Sequence, residues 1–129
     1  MSLKFLIVDD SQTMRRIVTN SSKNLGYEEF VEAADGKDAL IKLAADDTIN
    51  FVITDWNMPV LSGLELIKAI RSDEKMGKIP VLMVTTRGVK DDIIEALKAK
   101  VNNYVVKPFT PAILRDKIDQ IISNNVGAN

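Results

Sequence analysis

Five short apolar runs punctuate the chain, and between them apolar residues recur at three- and four-residue intervals. The runs are Leu3–Val8, Phe30–Ala33, Asn50–Thr54, Pro80–Thr85 and Asn103–Lys107. They are close to continuous in apolar residues instead of alternating, the pattern of strands covered on both faces. The intervals predict five helices. The first begins after Ser11, a good N-cap, and runs to Leu25, with Gly26 as its stop. Its inner face is Met14, Ile17, Val18 and Leu25, with Ser21 intruding. The second, about Lys37–Ala45, follows the turn pair Asp35–Gly36 and buries Ala39, Leu40 and Leu43. The third, about Leu64–Ser72, uses Leu64, Leu66, Ile67 and Ile70; the fourth, about Lys90–Ala99, uses Ile93, Ile94 and Leu97. The fifth starts at Thr110–Pro111, a capping residue followed by proline at the first helical position, and continues through Leu114, Ile118, Ile121 and Ile122. Five βα units in succession imply an α/β domain: a five-stranded parallel sheet with right-handed crossovers and helices on both faces. No linker or repeat divides the chain, so residues 1–129 are expected to form one domain, core about 3–123, without an output domain.

Composition narrows the chemistry more than the fold. Of the 129 residues, 46% are hydrophobic and 27% charged, with a formal net charge of −1. That balance offers neither nucleic acid nor an anionic membrane a basic field. Cys and His are both absent. Disulfides, thiolate catalysis, imidazole bases and phosphohistidine on this chain are thereby excluded, and a reducing, cytoplasmic compartment is expected. The apolar run near the N-terminus is too short for a signal peptide or a membrane span.

In open parallel sheets, ligands bind beyond the carboxyl ends of the strands, where the strand order reverses. The first strand ends in Asp9–Asp10, the third in Asp55, the fourth in Thr85–Thr86 and the fifth in Lys107–Pro108. Alone, Asp10–Ser11 reads as helix capping and Thr85–Thr86 as a strand end. Together they place three carboxylates, a hydroxyl and an ammonium at one sheet edge. Two carboxylates roughly 5 Å apart repel by about 3 kcal/mol at an effective dielectric near 20. A hard divalent cation with oxygen ligands resolves this, and Mg²⁺ fits best because it keeps waters and accepts a phosphate oxygen. A backbone carbonyl just after Asp55 would complete the shell. Lys107 and Thr85 then make sense beside an anion, and a carboxylate is itself a competent phosphoryl acceptor. Asp55, at the end of the central strand, is the candidate acceptor; Asp9 and Asp10 are candidate metal holders.

The stretches "FLIVDDSQTMRRIV", "FVITDWNMPVLSGLELIKAIR", "IPVLMVTT" and "NNYVVKPFT" resemble, in order and along essentially the whole chain, the receiver domains of two-component response regulators, and their single-domain chemotaxis branch in particular. The resemblance implies a doubly wound, flavodoxin-like (βα)5 fold with strand order 2-1-3-4-5. It implies Asp55 as phosphoacceptor, Asp9, Asp10, Asp55 and the Asn57 backbone carbonyl around Mg²⁺, Thr85 bonding the phosphoryl group, Lys107 pairing with it, and a cis Lys107–Pro108 bond. Tyr104 matches an aromatic that moves inward as Thr85 is drawn to the phosphate. This remodels a face of helix four, strand five and helix five that includes Lys90, Val106 and Phe109. Implied partners are a histidine kinase of the CheA type as phosphodonor, the flagellar motor switch protein as target, and a phosphatase; the chain itself is expected to be a monomer and not an enzyme. Asn57 and Arg87 occupy positions that tune phosphoryl lifetime. Three features depart from the pattern: Arg87 stands where an acid is more usual, Lys100 where glycine closes helix four, and Ser21–Ser22 where apolar residues are usual.

Two other function classes fit less well. An aspartate-nucleophile, Mg²⁺-dependent phosphohydrolase needs a second acid two residues after the nucleophile, where Asn57 stands. A flavin carrier needs a glycine- or hydroxyl-rich nest after strand one, where this chain is acidic. There is also no P-loop and no GxGxxG. A receiver in another phosphorelay is the remaining alternative. Trp56 is expected to be a partly exposed neighbour of the site, Arg15 and Arg16 a solvated helix face, and Met58 and Met83 packing.

Overall fold

In the computed structural model, which describes residues 2–127, β1 (Lys4–Val8), β2 (Glu29–Ala33), β3 (Phe51–Thr54), β4 (Val81–Thr85) and β5 (Asn103–Val106) form one parallel sheet in the order β2-β1-β3-β4-β5. The helices are α1 (Gln12–Lys23), α2 (Gly36–Ala45), α3 (Gly63–Ser72), α4 (Lys90–Lys98) and α5 (Pro111–Gly127). Fold class, strand order and every expected element are therefore present, with bounds displaced by one or two residues. Of the expected span 1–129, Met1, Ala128 and Asn129 lie outside the described residues.

Two cores explain why the strands read as unbroken apolar runs. Successive side chains point to opposite sheet faces. Phe5 and Ile7 of β1, Phe51 and Ile53 of β3, and Leu82 and Val84 of β4 pack with Val18 of α1 and Leu114, Ile118 and Ile121 of α5. Leu6, Val8, Val52, Val81 and Met83 face the other way, against α2, Leu66, Ile67 and Ile70 of α3, and Ala96 of α4. Met58 is half-buried against that second cluster, so both methionines pack as expected.

Two helix faces differ from expectation. On α4 the buried position is Ala96, with the C-cap Ala99 packed beside it, while Ile93 is half-buried, Ile94 38% and Leu97 52% exposed. The small residues let the helix approach the sheet, and the large ones a quarter-turn away are left outside. On α1 the inward line is Met14, Val18, Ser21 and Ser22, and Leu25 packs on the same core just beyond the helix end. Ile17 falls at its edge and is 43% exposed. The two serines are tolerated because Ser22 donates its hydroxyl to the Val18 carbonyl at 2.9 Å. Helix α1 also stops at Lys23, two residues before the expected Leu25, and Gly26 takes φ +100° in the turn beyond.

Caps fix the helix starts that face the sheet's carboxyl edge. Ser11 accepts from the Met14 amide at 3.2 Å and Asp35 from the Asp38 amide at 2.8 Å. Ser62 and Glu65 form a reciprocal capping box. At the opposite edge, half-buried Arg71 of α3 donates to the carbonyls of Lys100 (3.0 Å), Gly77 (3.1 Å) and Ile79 (2.6 Å), and to Asn102 Oδ1 (2.8 Å). Burial lowers its pKa from the usual 12.5. No helix among the described residues is long and apolar enough to cross a membrane.

Candidate functional site

The carboxyl ends of β1 and β3 bring Asp9, Asp10 and Asp55 together, each offering a carboxylate oxygen within 4.8 Å of the others. Asp9 is 5% exposed, Asp55 keeps 12% of its side chain accessible, and Asp10 is exposed. At that spacing each pair of charges repels by about 3 kcal/mol at an effective dielectric near 20. Lys107, beyond the end of β5, answers part of this: its Nζ lies 2.9 Å from Asp9 Oδ2 and 3.3 Å from Asp55 Oδ2. One ammonium against three carboxylates leaves a net negative site. The Lys107–Pro108 bond that follows is cis, as expected.

Backbone donors hold two of the acids in place. Asp9 Oδ1 accepts from the Ser11 amide at 2.9 Å, and Asp55 Oδ1 from the Trp56 amide at 2.6 Å. The Asp55 amide donates to the Val8 carbonyl, joining β3 to β1 at the site. Thr85 ends β4 fully buried, while Thr86 is exposed. Among the described residues the Asn57 carbonyl accepts no hydrogen bond. Three carboxylates are hard oxygen donors, and few enough to leave positions for water and a phosphate oxygen, which is the kind of donor set Mg²⁺ takes.

Arg87 links this cluster to the β5 edge. Its Nε and Nη2 donate to Asn57 Oδ1 at 3.0 and 2.9 Å, and its guanidinium carbon lies 4.5 Å from the centre of the Trp56 ring. Its Nη1 is 3.7 Å from Asp92 Oδ1 at the start of α4. Its carbonyl accepts the Tyr104 hydroxyl at 2.6 Å. Burial, assisted by the Asp92 charge, pushes the Tyr104 phenol up to about 12. Asn57 and Arg87, the two positions expected to tune phosphoryl lifetime, are thus in direct contact. Lys90 opens α4 in solvent, Val106 is 39% exposed at the end of β5, and Phe109 is half-buried against the α1–α5 core.

Two expectations are corrected. Trp56 is only 5% exposed, because it packs into the α2–α3 core and Arg87 covers its ring. Arg15 is not solvated: its side chain is 16% exposed and bonded to Glu32 and to the Asp9 carbonyl. Two glycines also shape the site: Gly36 of the expected turn pair, and Gly63, which the sequence reading does not mark. A Cβ on Gly63 would lie 1.9 Å from the Asp55 carbonyl oxygen, and one on Gly36 2.6 Å from the Leu61 carbonyl oxygen, to which Gly36 donates its amide. Their place at helix starts was the available signal, since glycine permits such close backbone approach.

This fold and this acid edge define a class, and comparison with known proteins agrees. The chain belongs to the response regulator receiver domain family, whose profile matches residues 5–119. Within that family it is 50% identical over 123 residues to chemotaxis protein CheY1 of Helicobacter pylori, covering 95% of this chain and 99% of that protein. Among solved structures it resembles chemotaxis response regulator CheY4 of Vibrio cholerae, with TM-score 0.85 and 34% identity over 94% of this chain and 99% of that one. It also resembles the receiver domain of sensor histidine kinase PA1611 of Pseudomonas aeruginosa, solved with magnesium in its active-site cleft. There the TM-score is 0.83 and identity 25%, over 95% and 99% of the two chains.

Proposed function

We propose that this chain is a phosphorylation-switched chemotaxis response regulator, a cytoplasmic monomer that accepts a phosphoryl group on Asp55 from a CheA-type histidine kinase. The observation that carries the reading is the meeting of Asp9, Asp10 and Asp55 within 4.8 Å, with Lys107 bridging two of them. An Asp55 carboxylate oxygen attacks the phosphorus of phosphohistidine, the P–N bond breaks, and its electron pair stays on the imidazole nitrogen, which takes a proton. Asp9, Asp10, Asp55 and the Asn57 carbonyl are the residues that would hold Mg²⁺, which supplies charge neutralisation for the phosphoryl oxygens. Magnesium in the cleft of the Pseudomonas aeruginosa receiver supports that assignment. Lys107 moves its contacts from carboxylate to phosphoryl oxygen, and the Thr85 hydroxyl donates to another. Water later attacks phosphorus and returns the free carboxylate. The side chain acts on itself once per cycle, so the protein is a signalling module and not an enzyme.

Phosphorylation is read out on the face of α4, β5 and α5, where Tyr104, Lys90, Val106 and Phe109 meet the flagellar motor switch protein. The similarity to chemotaxis proteins supports this target. Asn57 and Arg87 set the phosphoryl lifetime and the dependence on a phosphatase. A neutral amide two residues after the acceptor, held by Arg87, argues against a general acid there and so against a phosphohydrolase.

Acetyl phosphate with Mg²⁺ is expected to add one phosphoryl group to the wild type and none to Asp55→Asn, read by intact mass. An unmodified wild type, or equal labelling of both, refutes the assignment. Binding of the phosphorylated form to the N-terminal peptide of the motor switch protein tests the branch. No binding in either form points to a receiver of another phosphorelay.

A further inference from the structure

We infer that Arg15 is a positioning residue for the metal-holding acids, acting through the Asp9–Asp10 peptide. Asp9 has every polar group engaged: its amide donates to the Ala33 carbonyl at 3.1 Å, Oδ1 accepts from Ser11 and Oδ2 from Lys107. Its carbonyl accepts from Arg15 Nη1 at 2.6 Å. Asp10 is exposed, and among the described residues its carboxylate accepts no hydrogen bond. The direction in which Asp10 leaves the chain is therefore set by the peptide plane that joins it to Asp9. Arg15 clamps that plane.

Glu32 makes the clamp compatible with a divalent cation. An unpaired guanidinium beside the site would repel Mg²⁺, but Arg15 Nε is 2.8 Å from Glu32 Oε1, so the pair is neutral while one nitrogen remains on the Asp9 carbonyl. Glu32 lies on β2 and is paired in register with Ile7 of β1, which fixes the clamp to the sheet next to the acids. Arginine suits this task because its planar fork serves two acceptors at once.

The inference rests on the assignment of Asp9, Asp10 and Asp55 as the Mg²⁺ site, and the test separates the two. Mg²⁺ affinity is measured by calorimetric titration of wild type, Arg15→Met, Arg15→Lys and Asp10→Asn, with the melting temperature of each. Simple charge removal would make Arg15→Met bind Mg²⁺ more tightly. Positioning makes it bind about tenfold more weakly, the range seen when groups that orient metal ligands are removed. Arg15→Lys, which keeps a cationic donor but not the planar fork, is expected to recover part of the loss. Equal or tighter binding by Arg15→Met overturns the inference, as does a weakening that Lys fails to relieve at unchanged melting temperature. If Arg15→Met does not fold, Arg15→Lys decides alone, and wild-type affinity there overturns the inference. A wild type without Mg²⁺ binding, matched by Asp10→Asn, overturns the metal assignment itself.

Discussion

Lys100 holds a left-handed backbone conformation at the end of α4, and glycine there is expected to relieve it. It follows the C-cap Ala99 of α4 with φ +71°. Its amide donates to the Leu97 carbonyl at 3.0 Å, and the Val101 amide to the Ala96 carbonyl at 3.2 Å. Those two bonds are a Schellman closure, whose left-handed position is ordinarily glycine. A side chain there costs about 1–2 kcal/mol of backbone strain. Glycine gives back about 0.4–1 kcal/mol through the greater freedom of its unfolded chain, and loss of a lysine near the helix C-terminus removes a further few tenths, about 0.3 kcal/mol. Lys100→Gly is therefore expected to stabilise by about 0.5 kcal/mol, or roughly 2 °C in a domain of this size. Urea unfolding of wild type, Lys100→Gly and Lys100→Ala measures it, with the midpoint moving and the slope constant. Alanine keeps the Cβ and gains nothing. A glycine variant no more stable than the alanine variant refutes the strain argument.

Two further outcomes follow from the backbone and from charge. Gly63→Ala places a methyl 1.9 Å from the Asp55 carbonyl oxygen, where only backbone stands to yield; the expected loss is about 3 kcal/mol in urea unfolding, with slower phosphorylation of Asp55, and a loss below about 0.5 kcal/mol contradicts it. Hydrogen bonds from Lys4 and Thr48 hold the Asp46 carboxyl at about 2, below its ordinary 3.8. A depressed folded-state pKa stabilises above the unfolded value, so this contribution is complete above pH 3.8 and vanishes as the pH falls to about 2. Asp46→Asn is expected to flatten the urea midpoint over that interval, and an unchanged slope refutes the linkage.

What could be read from sequence was whatever has a period or a punctuation mark. Asp9, Asp10, Asp55, Thr85 and Lys107 each terminate an apolar run, so their convergence followed from topology alone. Leu64, Leu66, Ile67 and Ile70 are buried as their spacing requires. The large residues of α4 do not mark its inward face; Ala96 and Ala99 go inward because they are small. The contacts of Arg15 and Arg71 have no sequence signature, since Arg71 bonds mainly main-chain carbonyls, which every residue has, and Arg15 divides between one such carbonyl and Glu32 on a distant strand. Trp56 owes its burial partly to an arginine thirty-one positions later.

Arg71 divides the labour of the sheet. The carbonyls it gathers lie just before β4 and β5, at the strand ends opposite the acids. Both strands are thereby tied together at the rear, so under the proposed switch a shift of Thr85 or Tyr104 at the front would pivot about a fixed base instead of sliding the strands along one another. Amide exchange is expected to report this as a protected rear rim that keeps its protection while the front changes state.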